Sequence, residues 1–211
     1  MAKKACAVCG KSLGMWSASS VTGDRQPICK DCADEANLYF GTSKHTLQEY
    51  FLHIEQLKVS NSIYKKLFEP LTNKKEIREG SGFNQIFKKV EYDEKIKLYG
   101  SSLWTVDDYG LILFESSNKV KRGYAGRNLV FRYSELVSYS YFEDIANDDD
   151  CTHIDNIKLK FNSSYTMNEI EAVIPDYAVY QDFDNHFRGI VNVDKSHWNA
   201  LADNALAKVG L

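Results

Sequence analysis

An α+β fold is predicted for this chain of 211 residues. It comprises a small four-cysteine module, a helical connector, and an antiparallel β-barrel or sandwich with a C-terminal amphipathic helix. Three observations predict it. Two Cys-x-x-Cys pairs fall within the first 32 residues. Short strand-like runs recur at intervals of about ten residues between positions 83 and 180, the rhythm of a sheet-rich domain. An apolar stripe at helical period follows near the C-terminus. Composition agrees, since 13 Tyr, 11 Phe and 3 Pro favour packed, half-buried sheets over a flexible chain.

The first element reads Cys6-Ala-Val-Cys9-Gly10-Lys11, and nineteen residues separate Cys9 from Cys29, in the run Ile28-Cys29-Lys-Asp-Cys32. Two residues between thiolates let one tight turn present both sulfurs to one metal, and zinc takes four such ligands in a tetrahedron. Gly10 stands where a knuckle needs positive φ. Val21-Thr-Gly23-Asp predicts a hairpin turn between the two pairs. Residues 33–41 predict a helix begun at the second knuckle and stopped at Gly41. The pattern is that of a treble clef spanning residues 1–44. So short a segment lacks the apolar surface to fold alone, and zinc binding, worth about 10–16 kcal/mol in small zinc-finger peptides, supplies the deficit. A four-thiolate site leaves no position for a catalytic water, so Cys6, Cys9, Cys29 and Cys32 are assigned to structural zinc. A redox dithiol would need a thioredoxin-like βαβ setting, which the sequence lacks. Lys3, Lys4, Lys11, Arg25 and Lys30 surround the module and keep nucleic-acid binding open, although Asp24, Asp31, Asp34 and Glu35 dilute them.

Residues 45–82 form the connector. Leu47, Tyr50, Phe51, Ile54 and Leu57 predict an amphipathic helix over 46–58, with His53 beside its stripe as a packed or surface residue. Ser60-Asn61-Ser62 is expected to break it and cap a second short helix carrying Ile63, Leu67 and Phe68, ended before Pro70. Residues 71–82 read as a polar linker.

The third part spans residues 83–211. Its strands are expected at 96–99, 103–106, 111–114, 129–133, 136–142 and 157–161, with a turn at Asp107-Asp-Tyr-Gly110. Trp198, Leu201, Ala202, Ala205, Leu206 and Val209 form one helical stripe, capped by Asp194 or Ser196 and placed to plug an open end of a partial barrel.

Cys6-x-x-Cys9-Gly10-Lys11 with Ile28-Cys29-x-x-Cys32 resembles the zinc domain, a four-cysteine treble clef or ribbon, that opens an uncharacterised bacterial family. There the zinc domain is followed by a β-domain similar to pleckstrin-homology (PH) domains. Phe131-Arg-Tyr133-Ser-Glu135-Leu136-Val-Ser-Tyr139 looks like the strand–turn–strand step of that domain. The resemblance implies zinc binding and a PH-like scaffold, and no known reaction. Two stretches depart from it, Asn147 to Cys151 and the segment 162–193, which reads as irregular.

Net charge excludes a uniformly basic nucleic-acid binder. Residues 1–135 carry 21 Lys+Arg against 16 Asp+Glu, whereas residues 136–211 carry 5 against 13. No apolar stretch approaches the roughly 18 residues of a membrane span. The N-terminus lacks an apolar segment, so no signal peptide is expected and the protein is placed in the cytoplasm, where thiols stay reduced.

Lys119, Lys121, Arg122 and Arg127 make a Gly-interrupted basic loop, read as a candidate anion-binding site beside the plainer reading of a solvated hairpin. Glu143-Asp144 and Asp148-Asp-Asp150 lack the calcium-loop pattern. Cys151, His153 and Asp155 would share one face of a strand, a weak nucleophile motif. No phosphate loop or nucleophile elbow is present. The expected function is a non-enzymatic, zinc-stabilised interaction or regulatory protein with a protein partner. Two alternatives are a nucleic-acid-binding regulator using the basic N-terminal half, and an anionic-lipid or small-ligand binder using loop 119–127. Self-association through the aromatic-rich β-domain is compatible with the same residues.

Overall fold

A computed structural model describes residues 5–14, 19–36, 41–78, 86–100, 102–115, 128–145, 153–191 and 195–211, with backbone alone described over 73–78 and 86–92. In the first module β1 (Ser19–Val21) and β2 (Pro27–Cys29) pair antiparallel. Helix α1 (Lys30–Glu35) starts directly after Cys29. It ends at Glu35 with Ala36 already extended (ψ 154°), so the helix expected to run on to Gly41 stops earlier; residues 37–40 lie outside the described residues.

Helix α2 runs Leu47–Ile63 and continues as a π-helical turn, Tyr64–Phe68. Its start is set by a capping box, in which Thr46 Oγ1 accepts from Glu49 N–H and the Glu49 carboxylate accepts from Thr46 N–H. The break expected at Ser60-Asn61-Ser62 does not occur. Ser60 Oγ accepts from Val130 N–H (3.1 Å) and Asn61 Oδ1 from Asn128 N–H (3.3 Å), so these side chains serve the neighbouring sheet and the helix runs through them. The expected linker is also corrected. Strand β3 (Thr72–Arg78) pairs with β4 (Ile86–Tyr92) in a two-stranded ribbon. Its backbone groups satisfy one another, which a polar composition alone did not reveal.

Two further sheets carry the main cores. One is the meander β5 (Ile96–Tyr99), β6 (Leu103–Val106), β7 (Leu111–Phe114) and β8 (Leu129–Arg132). The other consists of β9 (Leu136–Ile145), β10 (His153–Phe161) and β11 (Glu169–Val173), with β10 central. A 3-10 corner at Tyr133–Glu135, where the Glu135 carboxylate accepts from Arg132 N–H (2.8 Å), carries the chain from the first sheet to the second. All strands expected from the sequence are present, and Gly110 (φ +57°) ends the expected turn. Of the expected barrel or sandwich, the barrel is absent: the described sheets do not close.

The four-stranded sheet is buried on both faces. Leu103, Ile112, Phe114, Leu129 and Phe131 face β9–β11, and the Phe131 and Phe161 rings stack at 3.9 Å. Trp104, Val106, Leu111, Leu113 and Val130 point the other way, onto the end of α2 and onto α4 (Ser196–Ala207). Thus α4 lies across a sheet face through Ala202 and Ala205 instead of plugging a barrel end. Ser196 is its first residue, so the cap position falls to Lys195; Asp194 lies outside the described residues. Segment 162–193 also contradicts the expected irregularity, because it contains β11 and helix α3 (Tyr177–Val191). Phe183, Phe187 and Ile190 of α3, at i, i+4 and i+7, seal the main core.

Candidate metal centre

The first knuckle is held by its own backbone. Gly10 N–H donates to Cys6 C=O (2.9 Å), Cys6 N–H donates to Lys11 C=O (2.8 Å), and Gly10 adopts φ +73°. Ala7 N–H donates to Pro27 C=O (2.8 Å), which lays this knuckle against β2. There Cys29 ends the strand, and Cys32 returns one turn into α1.

The four sulfurs consequently lie within 4.8 Å of one another, with Cys9 Sγ and Cys29 Sγ 3.7 Å apart. In a tetrahedron with metal–sulfur bonds of about 2.3 Å, sulfurs lie about 3.8 Å apart. All four cysteines are free of disulfides, and only Cys9 is exposed. Among the described residues no other group of three or more Cys, His or carboxylate side chains converges in this way. These four are positioned to bind a metal ion.

Their electrostatics fit a cation. Burial pushes the Cys6 thiol up, but N–H donors from Cys29, Cys9 and Val8 overcome it and bring the thiol down to about 6. Burial and then the neighbouring sulfurs of Cys29, Cys9 and Cys6 push Cys32 upward. Four crowded thiols cannot all ionise beside one another unless a positive charge sits among them. The Lys11–Asp31 pair (3.0 Å) at the rim is exposed and contributes little.

Helix α2 locks onto this centre. Tyr50, which is buried, donates its hydroxyl to Cys32 C=O (2.7 Å) and packs among Cys6, Ile28 and Cys32. Gly23 N–H donates to His45 C=O (2.7 Å) and Leu47 N–H to the Asp24 carboxylate (3.1 Å). One turn along α2, His53 is completely buried, and burial brings its imidazole down to about 4. It is a neutral packed residue.

The remaining sequence candidates fare differently. Lys119, Lys121, Arg122 and Arg127 lie outside the described residues, as do Cys151 and the Asp148–Asp150 loop. His153 and Asp155 do share one face of β10. His153 Nδ1 is 3.6 Å from the Glu143 carboxylate, and Tyr141 donates its hydroxyl to Asp155 and Glu143.

A cluster that the sequence hid joins residues up to 89 positions apart. Asp107 accepts from the Tyr133 hydroxyl (2.7 Å) and pairs with Lys97 (2.8 Å) and His186 (2.9 Å), while Lys97 Nζ stands 3.0 Å from His186 Nδ1. Burial would raise Asp107, but His186, Lys97 and Tyr133 hold its carboxyl well below the usual carboxylate range. The cluster fastens α3 to the ends of β5 and β6.

Comparison of the chain with protein families, curated proteins and solved structures yields no match. The family suggested by the cysteine pattern is therefore not shown; what stands is the cysteine cluster followed by a sheet-rich region. No helix of the described residues is long and apolar enough to cross a membrane.

Proposed function

We propose that this chain is a zinc-stabilised, non-enzymatic interaction protein of the cytoplasm whose ligand is another protein. One observation carries the reading: a cleft of about 430 Å³ is walled on one side by Lys44 and His45, beside the cysteine module, and on the other by Thr166 to Glu171 of the β-domain. A surface composed from both parts gives the metal a reason to be there, because the metal fixes one wall. Zinc fits a closed set of four thiolates, where it would act as a structural crosslink. Four strands, then three, then α3 also suit the PH-like scaffold that the sequence resemblance implies.

A second reading, nucleic-acid binding by the N-terminal half, draws on the β3–β4 ribbon. Its register pairs Lys75 with Lys89 and Glu76 with Lys88, and two-stranded ribbons of basic character can enter a major groove.

Affinity capture from native lysate separates the two, using wild type and a Cys29→Ser/Cys32→Ser variant. A protein retained by wild type and lost by the variant supports the proposal. Retention of nucleic acid alone, abolished by raised salt, overturns it in favour of the second reading.

A further inference from the structure

We infer that the edge of β11 that no described strand pairs with is the docking strand of this surface, and that it accepts an extended partner segment carrying basic residues at alternate positions. The inference rests on the protein-binding reading and assigns its contact.

The ladder fixes which backbone groups are available. Ile174 N–H donates to Asp155 C=O (2.9 Å) and Phe161 N–H donates to Asn168 C=O (2.8 Å). Along an antiparallel strand, residues bonded to the neighbour alternate with residues whose N–H and C=O point away. Asn168, Ile170, Ala172 and Ile174 therefore turn toward β10, and Glu169, Glu171 and Val173 turn outward. At Val173 the edge is closed. A Cβ added to Gly100 would overlap the Val173 oxygen, so the backbone after β5 covers that carbonyl. Among the described residues a newcomer is left the N–H and C=O groups of Glu169 and Glu171, and both residues line the cleft shared with Lys44 and His45. An unpaired edge beside a cleft is the geometry of strand addition.

Charge selects the newcomer. On its paired side β11 meets lysines in register, Lys158 opposite Glu171 and Lys160 opposite Glu169. Lys158 Nζ lies 3.3 Å from each glutamate and Lys160 Nζ lies 3.5 Å from Glu169. The same two carboxylates confront a strand added on the other side, so cations at positions i and i+2 suit it. A second copy of this chain is a poor occupant. Any antiparallel self-pairing that joins the outward residues sets Glu169 or Glu171 against a glutamate of the other copy, and like charges directly opposed are destabilising.

The test uses the full-length, metal-loaded protein and a fluorescein-labelled peptide with the sequence of residues 153–161, the strand that β11 already pairs with. Fluorescence polarisation is expected to report saturable binding. Glu171→Pro removes one outward N–H without touching the β10 ladder, a position where an edge strand tolerates proline, and should weaken binding at least tenfold. The peptide with both lysines changed to glutamate should bind wild type at least fivefold more weakly. If the proline variant does not fold, a peptide N-methylated on the amides that would face β11 takes its place and should fail to bind wild type. No binding by wild type, equal binding by the proline variant or the N-methylated peptide, or dimerisation through β11 would each overturn the inference. A partner captured equally by wild type and Glu171→Pro would overturn it while leaving the protein-binding reading intact.

Discussion

Acidification should weaken this protein through His53, a residue remote from the metal ligands in sequence. In the unfolded chain its imidazole titrates at the ordinary value near 6.5. In the folded chain burial holds it down to about 4, partly offset by a hydrogen bond with Gln56 and reinforced slightly by His45. Between those values the unfolded state takes up a proton that the folded state refuses, so stability is complete above pH 6.5 and declines as pH falls toward 4. Each pH unit within that window is worth about 1.4 kcal/mol, so a shift from pH 7 to 5 removes about 2 kcal/mol. That is a large share of the roughly 5–15 kcal/mol typical of a domain. Urea unfolding of wild type and His53→Asn at pH 7, 6 and 5 measures it. Acid loss of metal is common to both proteins, so the difference between their pH slopes isolates the imidazole. Parallel slopes, or an NMR titration placing the folded His53 at 6.5 or above, would refute the reasoning.

Metal analysis should find one zinc per chain, and cobalt(II) exchanged into the site should give the absorption of a tetrahedral tetrathiolate centre; Cys32→Ser should lose that spectrum, and an unchanged spectrum would exclude Cys32 as a ligand. Tyr50→Phe leaves the Cys32 carbonyl without its 2.7 Å donor and should cost about 1–3 kcal/mol in chemical denaturation; no change would mean that the contact carries no weight. Gly100→Ala drives a methyl into the Val173 oxygen at φ +77° and should cost about 2–5 kcal/mol. Gly189→Ala, within α3 and with open space around the new carbon, should instead stabilise by about 0.5–1 kcal/mol. Thermal melts of the two variants moving in the same direction would contradict this pair.

Local chemistry was legible in the sequence wherever neighbouring residues decide the outcome. The cysteine spacing marked the knuckles, short strand-like runs about ten residues apart marked β5 to β10, and the 198–209 stripe marked α4. Ser60 and Asn61 misled because their partners, Val130 and Asn128, are nearly seventy residues away. A polar run cannot announce that its hydrogen bonds will go to a sheet. The ribbon β3–β4 was hidden because its lysines and glutamates break the apolar alternation by which half-buried strands are recognised. Helix α3 had a usable signal in Phe183, Phe187 and Ile190, obscured by the polar residues between them. The four cysteines positioned for a metal ion could be named from spacing, whereas Tyr50 as their clamp and the Asp107–His186 pair could not, since each depends on how separate elements come together.

Helix α2 contributes Tyr50 to the cysteine core, Leu57 to the main core and Ile63 to the core beneath α4. A single rod of seventeen residues, about 25 Å long, is thus common property of three cores. Local opening of one of them must strain or unwind a helix on which the others depend. Such sharing merges what would be separate units of hydrogen exchange into one. Removing the metal should accordingly speed amide exchange beyond residues 5–36, along α2 as far as Ile63 and into the amides of Asn128 and Val130 that bond to it. In that sense a metal held there would set the rigidity of a sheet it never touches.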